Sequence, residues 1–152
     1  MVCAVTKSLP SDMSRADRLS ALVLAFWAGG LWTVCGMVVP ALFWLIEDSK
    51  QAGNVAAQFF YGETFLGVFF GLSYWALQRG KLDAVSSRCV WIAMTAPLGF
   101  IVVLRPLMNA ARSSGDMARF GQLHGLASVL FLTACFAAGV LVWRPRIRRP
   151  AG

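Results

Sequence analysis

Residues 19–46 read LSALVLAFWAGGLWTVCGMVVPALFWLI, 28 positions without one charged side chain. About 20 apolar residues take a helix across the roughly 30 Å hydrocarbon of a bilayer. The run is therefore overlong for a perpendicular crossing and predicts a helix that tilts or bends. Pro40 is the expected bend, because it removes one backbone hydrogen bond inside the run. The run also exceeds the about 7–15 residues of a cleavable leader's apolar core, so it reads as an uncleaved first span. Ser14, three residues before Asp17, has the spacing of a capping box ahead of it.

Three further apolar runs follow, at about 55–77, 89–108 and 120–143. The second holds one acid, Glu63, and the third is interrupted by Pro97, a second expected bend, and by Pro106. Polar stretches separate them, the last with Ser113-Ser114-Gly115 as its turn. The pattern predicts an all-α fold, a four-helix transmembrane bundle. It divides into an N-terminal segment 1–18, a membrane domain 19–143 and a basic tail 144–152. Hydrophobic residues make up 58% of the chain and charged residues 14%, against about 25% charged in ordinary soluble domains.

The net charge of +7 does not point to nucleic acid, because the basic residues flank the apolar runs and form no stripe between stacking aromatics. Four spans put both termini and the middle loop on one side. That side carries Lys7, Arg15, Arg18, Arg79, Lys81, Arg88, Arg144, Arg146, Arg148 and Arg149, and the other only Lys50, Arg105, Arg112 and Arg119. The bias places both termini in the cytoplasm and makes membrane lipids the first expected partners. Trp27, Trp44, Trp75, Trp91 and Trp143 fall near span ends, as interfacial anchors do, whereas Trp32 lies deeper.

Helices in lipid associate through close packing and polar contacts. Small residues at four-residue spacing mark the expected packing faces: Ala21, Ala25, Gly29 and Thr33 in span one, Gly67 and Gly71 in span two, Gly121 and Gly125 in span four. The partner on such a face is another span of this chain, a second copy, or another membrane protein. Glu63 precedes Gly67 by one turn, so it shares the face that points into the bundle, where an ionisable residue avoids a lipid-exposure cost of about 2.5–3.5 kcal/mol.

Orientation then gathers polar residues. Glu63 lies about 9 Å below the outer edge, Arg105 within about one turn of that edge, and His124 at the first turn of span four. Asn109 and Arg112 follow Arg105 on one helical face, and Gln58 precedes Glu63 toward the outside. One reading of this cluster is an internal ion pair of Glu63 with Arg105, completed by Asn109 and His124. The other is a binding site for a solute, ion or proton.

Nothing in the chain has the spacing of a hydrolytic or transfer enzyme. Ser128, one turn after His124, is the nearest approach to a nucleophile–base pair, and helical serines usually bond to backbone instead. Cys3, Cys35, Cys89 and Cys135 form no C-x-x-C pair and read as small apolar filling. His124 is the single histidine, which excludes two-histidine heme ligation within one chain. No metal site and no cofactor is expected.

Gly29-Gly30, Pro40-Ala41-Leu42-Phe43, and Ala52-Gly53 leading to Phe59-Phe60 resemble the first half of the bacterial domain-of-unknown-function 4149 family, which is similar to the eukaryotic transmembrane protein 205 group. Arg105-Pro106 and Phe120-Gly121-Gln122-Leu123-His124-Gly125 extend the likeness, which covers about residues 20–143. It implies a small four-span protein of the bacterial inner membrane and supplies no catalytic residues. Ala127 and Phe131 stand where the family pattern has serine and asparagine. The expected function is that of a non-enzymatic membrane component, an assembly partner or regulator. The alternatives are a small-solute, proton or metal-ion transporter or channel subunit using the polar cluster, and a heme- or copper-associated subunit.

Overall fold

Four short polar side chains begin the helices. Ser14 accepts the Asp17 N–H, Asp48 that of Lys50, Asp83 that of Ser86 and Asp116 that of Arg119. Each satisfies a donor that the first helical turn leaves without a backbone partner. The computed structural model describes residues 14–144. Its helices are α1 (Arg15–Leu45), α2 (Ser49–Gln78), α3 (Ala84–Ser113) and α4 (Met117–Trp143). All four are long and apolar enough to cross a membrane. They outrun the expected spans because the caps and end turns are polar, so an apolar count stops short of them. Most of the N-terminal segment, with Cys3 and Lys7, and the basic tail after Arg144 lie outside the described residues.

The links are tight. The α2–α3 turn uses Gly80 at φ 80°, and the α3–α4 turn uses Gly115 at φ 76°, a backbone region that costs glycine little. In the latter, Asp116 N–H reaches Ala111 O at 2.9 Å and Gly115 N–H reaches Arg112 O at 3.2 Å, the paired bonds of a Schellman ending.

Two helices carry the same irregularity. α1 widens into a π turn over Val34–Val38, with Val39 N–H bonding back five residues to Val34 O. α3 does so over Phe100–Leu104, with Arg105 N–H on Phe100 O. Each turn is followed, one residue later, by a proline, Pro40 or Pro106. A proline lacks the N–H and crowds the carbonyl four residues back, and the wider turn accommodates both defects. At Pro97, the other expected bend, no such wide turn forms. Pro97 sits inside regular helix in the core, and the wide turn belongs to Pro106.

The core fills the half of the bundle that holds the start of α1, the end of α4 and the 79–83 turn. Trp27, Leu31, Val90, Ala93, Ala134, Cys135 and Ala138 are buried there. Trp27 is wholly buried and is no interfacial anchor, whereas Trp44 and Trp143 are 85% and 90% exposed. Large apolar side chains point outward from every helix, among them Phe26, Phe65, Val102 and Phe136. A water-soluble surface does not carry such a coat.

α2 supplies the glycine stripe. A Cβ on Gly67 would come to 3.3 Å of Trp27 Nε1, and one on Gly71 to 2.3 Å of Met94 Cγ. In span one the face packed within the chain is not the small-residue one. Ala25, Gly29 and Thr33 are exposed, nothing lies within 4 Å of a Cβ on Gly29, and Ser20, Leu24, Trp27, Ala28 and Leu31 face inward. Gly121 and Gly125 are likewise open. The reason is size: the indole of Trp27 buries more apolar area than any small residue of the other face, and the glycines of α2 receive it.

Candidate functional site

The two ends of the bundle are built differently. At the end where α1 begins and α4 finishes, polar contacts tie the helices together. Ser20 Oγ donates to Asp17 O at 2.9 Å, the Gln78 amide donates to Ser20 Oγ, and Lys81 pairs with Asp17 at 3.0 Å. Arg144, closing α4, pairs with Asp83 at 2.8 Å. The Asp83 carboxyl is held below the usual 3.8, chiefly by its bond with the Ser86 side chain, with smaller contributions from the Ser86 N–H and the Arg144 charge.

At the end with the 46–48 and 114–116 loops the α1–α2 and α3–α4 hairpins part, leaving a cavity of about 630 Å³. Its depth is aromatic. Phe60, Phe100 and Phe131 close it, with ring centroids 4.2 to 6.1 Å apart. Phe60 lies 12 residues beyond Asp48, so the cavity is about 18 Å deep along the helix axis. Above the rings stand Arg105, His124 and Ser128, and nearer the mouth Lys50, Asn54, Asn109 and Arg112. Among the described residues lining it, none is acidic.

Arg105, Asn109 and His124 therefore line one cavity. Glu63 and Gln58 do not join them; they line a separate recess of about 350 Å³ with Val34, Phe59, Gly62 and Leu66. The expected Glu63–Arg105 ion pair is not formed. The ion pairs among the described residues are Asp17–Lys81 and Asp83–Arg144. Arg105 instead lays its guanidinium over the ring of Tyr61, 3.9 Å from the centroid, and its Nη1 is buried without a hydrogen-bond partner. Helix geometry explains the difference. Tyr61 and Glu63 are two residues apart on α2, so they face nearly opposite ways. The side that α3 reaches is Tyr61's, and Glu63 turns to α1, where Gly30 makes room for its carboxyl.

His124 stacks on Phe120, with centroids 6.2 Å apart and planes 12° off parallel. Ser128 Oγ donates to the His124 carbonyl at 3.1 Å, so serine and imidazole are not joined as nucleophile and base. Among the described residues no three His, Cys, Asp or Glu side chains gather in a way that could hold a metal ion. Tyr61 and the phenylalanine triad are the site residues that sequence reading missed. Their signal was weak, because aromatic residues in an apolar run read first as lipid contact or core. Compared with family models, curated proteins and solved structures, the chain matches none.

Proposed function

We propose that the chain is a multi-pass protein of the bacterial inner membrane with both termini cytoplasmic, and that it works by binding in the loop-end cavity rather than by catalysis. The cavity carries this reading. It has the volume of a small-molecule site, an apolar depth and a few convergent polar groups. The distribution of lysine and arginine turns that end away from the cytoplasm. The residues that resemble the domain-of-unknown-function 4149 family imply the same four-span protein without catalytic residues, although no family model matches the chain.

The test is cysteine accessibility in a cysteine-free chain in intact cells. Ser128→Cys, in the cavity, is expected to react with a membrane-impermeant maleimide from outside, and Gly80→Cys only after permeabilisation. Labelling at 80 and not at 128 in intact cells overturns both the orientation and the open vestibule.

A second reading, that the protein is an assembly partner, is favoured by the uncovered small-residue faces at Ala25, Gly29 and Thr33 and at Gly121 and Gly125. Disulfide crosslinking through Gly29→Cys tests it: a dimer band, or a mixed adduct with another membrane protein, is expected. Monomer alone from membranes, under conditions that oxidise a control pair, removes it.

A further inference from the structure

The inference here rests on the cavity being a binding vestibule and concerns what it binds. Its cations are Lys50, Arg105 and Arg112, and no acid among the described lining residues offsets them. Arg105 is the deepest of the three, eight residues before Ser113 at the end of α3, or about 12 Å in. One face of its guanidinium is covered by Tyr61 at 3.9 Å. The donors left to it lie in the guanidinium plane, and Nη1 is shielded from solvent with nothing among the described residues to accept from it. A planar fork of charged N–H groups without an acceptor matches the paired oxygens of a phosphate or carboxylate. Asn109, one turn nearer the mouth, and His124 line the same cavity and can accept or donate a further bond. A small hydrated anion leaves the depth unexplained. Below Arg105 the walls are Ala127, Ser128, whose hydroxyl is turned to the His124 carbonyl, and the rings of Phe60, Phe100 and Phe131, which offer a contact surface to a chain.

We propose that the vestibule binds an amphiphile bearing an oxyanion headgroup, with Arg105 holding the phosphate or carboxylate edge-on and the apolar chain lying against the phenylalanine triad. Tyr61 is a positioning residue in this arrangement: its ring fixes the plane in which Arg105 presents its donors.

The experiment titrates the full chain, purified in an uncharged maltoside detergent, with dodecyl phosphate, dodecanoate, dodecanol and inorganic phosphate, read by native mass spectrometry and thermal unfolding. One equivalent of dodecyl phosphate or dodecanoate is expected to bind and raise the unfolding midpoint. Dodecanol and inorganic phosphate are expected to do neither at the same concentrations. Arg105→Gln is expected to weaken dodecyl phosphate binding at least about tenfold, the loss of a charge-assisted pair. Arg105→Lys recovers only part of it, because lysine lacks the fork. Arg88→Gln, an exposed change at the far end of α3 that alters net charge equally, is expected to leave it unchanged. Tyr61→Leu, which leaves every charge in place, weakens binding too and keeps the test open if Arg105→Gln does not fold. Equal binding of dodecanol, equal binding of inorganic phosphate, or equal loss in Arg88→Gln overturns the proposal. External labelling of Ser128→Cys without any dodecyl phosphate binding leaves the vestibule standing and sinks only the anionic amphiphile.

Discussion

Met94 of α3 occupies the space in which Gly71 of α2 has no side chain: a Cβ there would lie 2.3 Å from Met94 Cγ and 2.5 Å from its Sδ. Trp27 of α1 closes the same spot, at 3.1 Å. Three helices thus meet at one glycine, in the well-packed half of the bundle. Gly71→Ala is expected to destabilise the protein by about 1–3 kcal/mol, the usual cost of overpacking, measured by denaturant titration in detergent micelles. In a Met94→Ala background the further cost of Gly71→Ala should shrink, since the thioether and the new methyl compete for one volume. Equal stability of Gly71→Ala and wild type would mean that the helices are not packed this closely.

Glu63 has moved out of the role that its position invited. Breaking a buried ion pair by removing one partner costs about 3–5 kcal/mol. Glu63 takes part in no ion pair among the described residues, so Glu63→Gln, which keeps volume and shape, is expected to cost under about 1 kcal/mol. Gly30→Ala is expected to cost more, because its Cβ would lie 3.1 Å from both carboxyl oxygens. A loss in Glu63→Gln as large as that of a broken pair would show that a cation reaches the carboxyl after all.

How much of this was legible beforehand follows from the physics of each step. An uncharged run such as 19–46 has one cheap solution in a bilayer, so the four helices and their order could be read from hydropathy. Which face of a helix turns inward could not. In α1 the small residues looked like the packing stripe, yet Trp27 and Leu31 outweigh them. That choice depends on the glycines of α2 lying opposite, a fact of three dimensions. Arg105 and Glu63 are expected near one level, yet Glu63 lies 15 residues beyond Asp48, about 22 Å in, and Arg105 eight before Ser113, about 12 Å in. Their azimuths decide whether they meet, and a two-residue offset between Tyr61 and Glu63 was enough to send the guanidinium to a ring instead of an acid.

The polar end should respond to acid. Asp83 caps α3 and pairs with Arg144, and its carboxyl is held below 3.8 in the folded chain. A carboxyl lowered by folding contributes its stability in full above its unfolded value and loses it as pH falls below that value. Unfolding midpoints of wild type are thus expected to drop below about pH 4, and Asp83→Asn to start lower and fall less over the same range. Because Asp83 is exposed, the effect is small and is shrunk further by salt at the Arg144 contact. Parallel curves for the two proteins would remove Asp83 as the source.

Trp27 offers a sharper test of the α1–α2 interface. Its indole Nε1 is buried without a hydrogen-bond partner among the described residues and would lie 3.3 Å from a Cβ on Gly67. Any side chain at position 67 must push the indole by a few tenths of an ångström, so Gly67→Ala is expected to destabilise by roughly 1 kcal/mol or more. Serine has nearly the same size and adds an acceptor where a donor has none. A buried donor that gains a partner recovers about 0.5–1.5 kcal/mol, so Gly67→Ser is expected to be the more stable of the two by that margin. Repeating the pair on a Trp27→Phe background isolates the bond: without the indole N–H the advantage of serine should vanish, and a buried hydroxyl with no donor opposite it should leave alanine ahead. An unchanged Ser–Ala difference in that background would place the hydroxyl's partner elsewhere and separate Gly67 from Trp27.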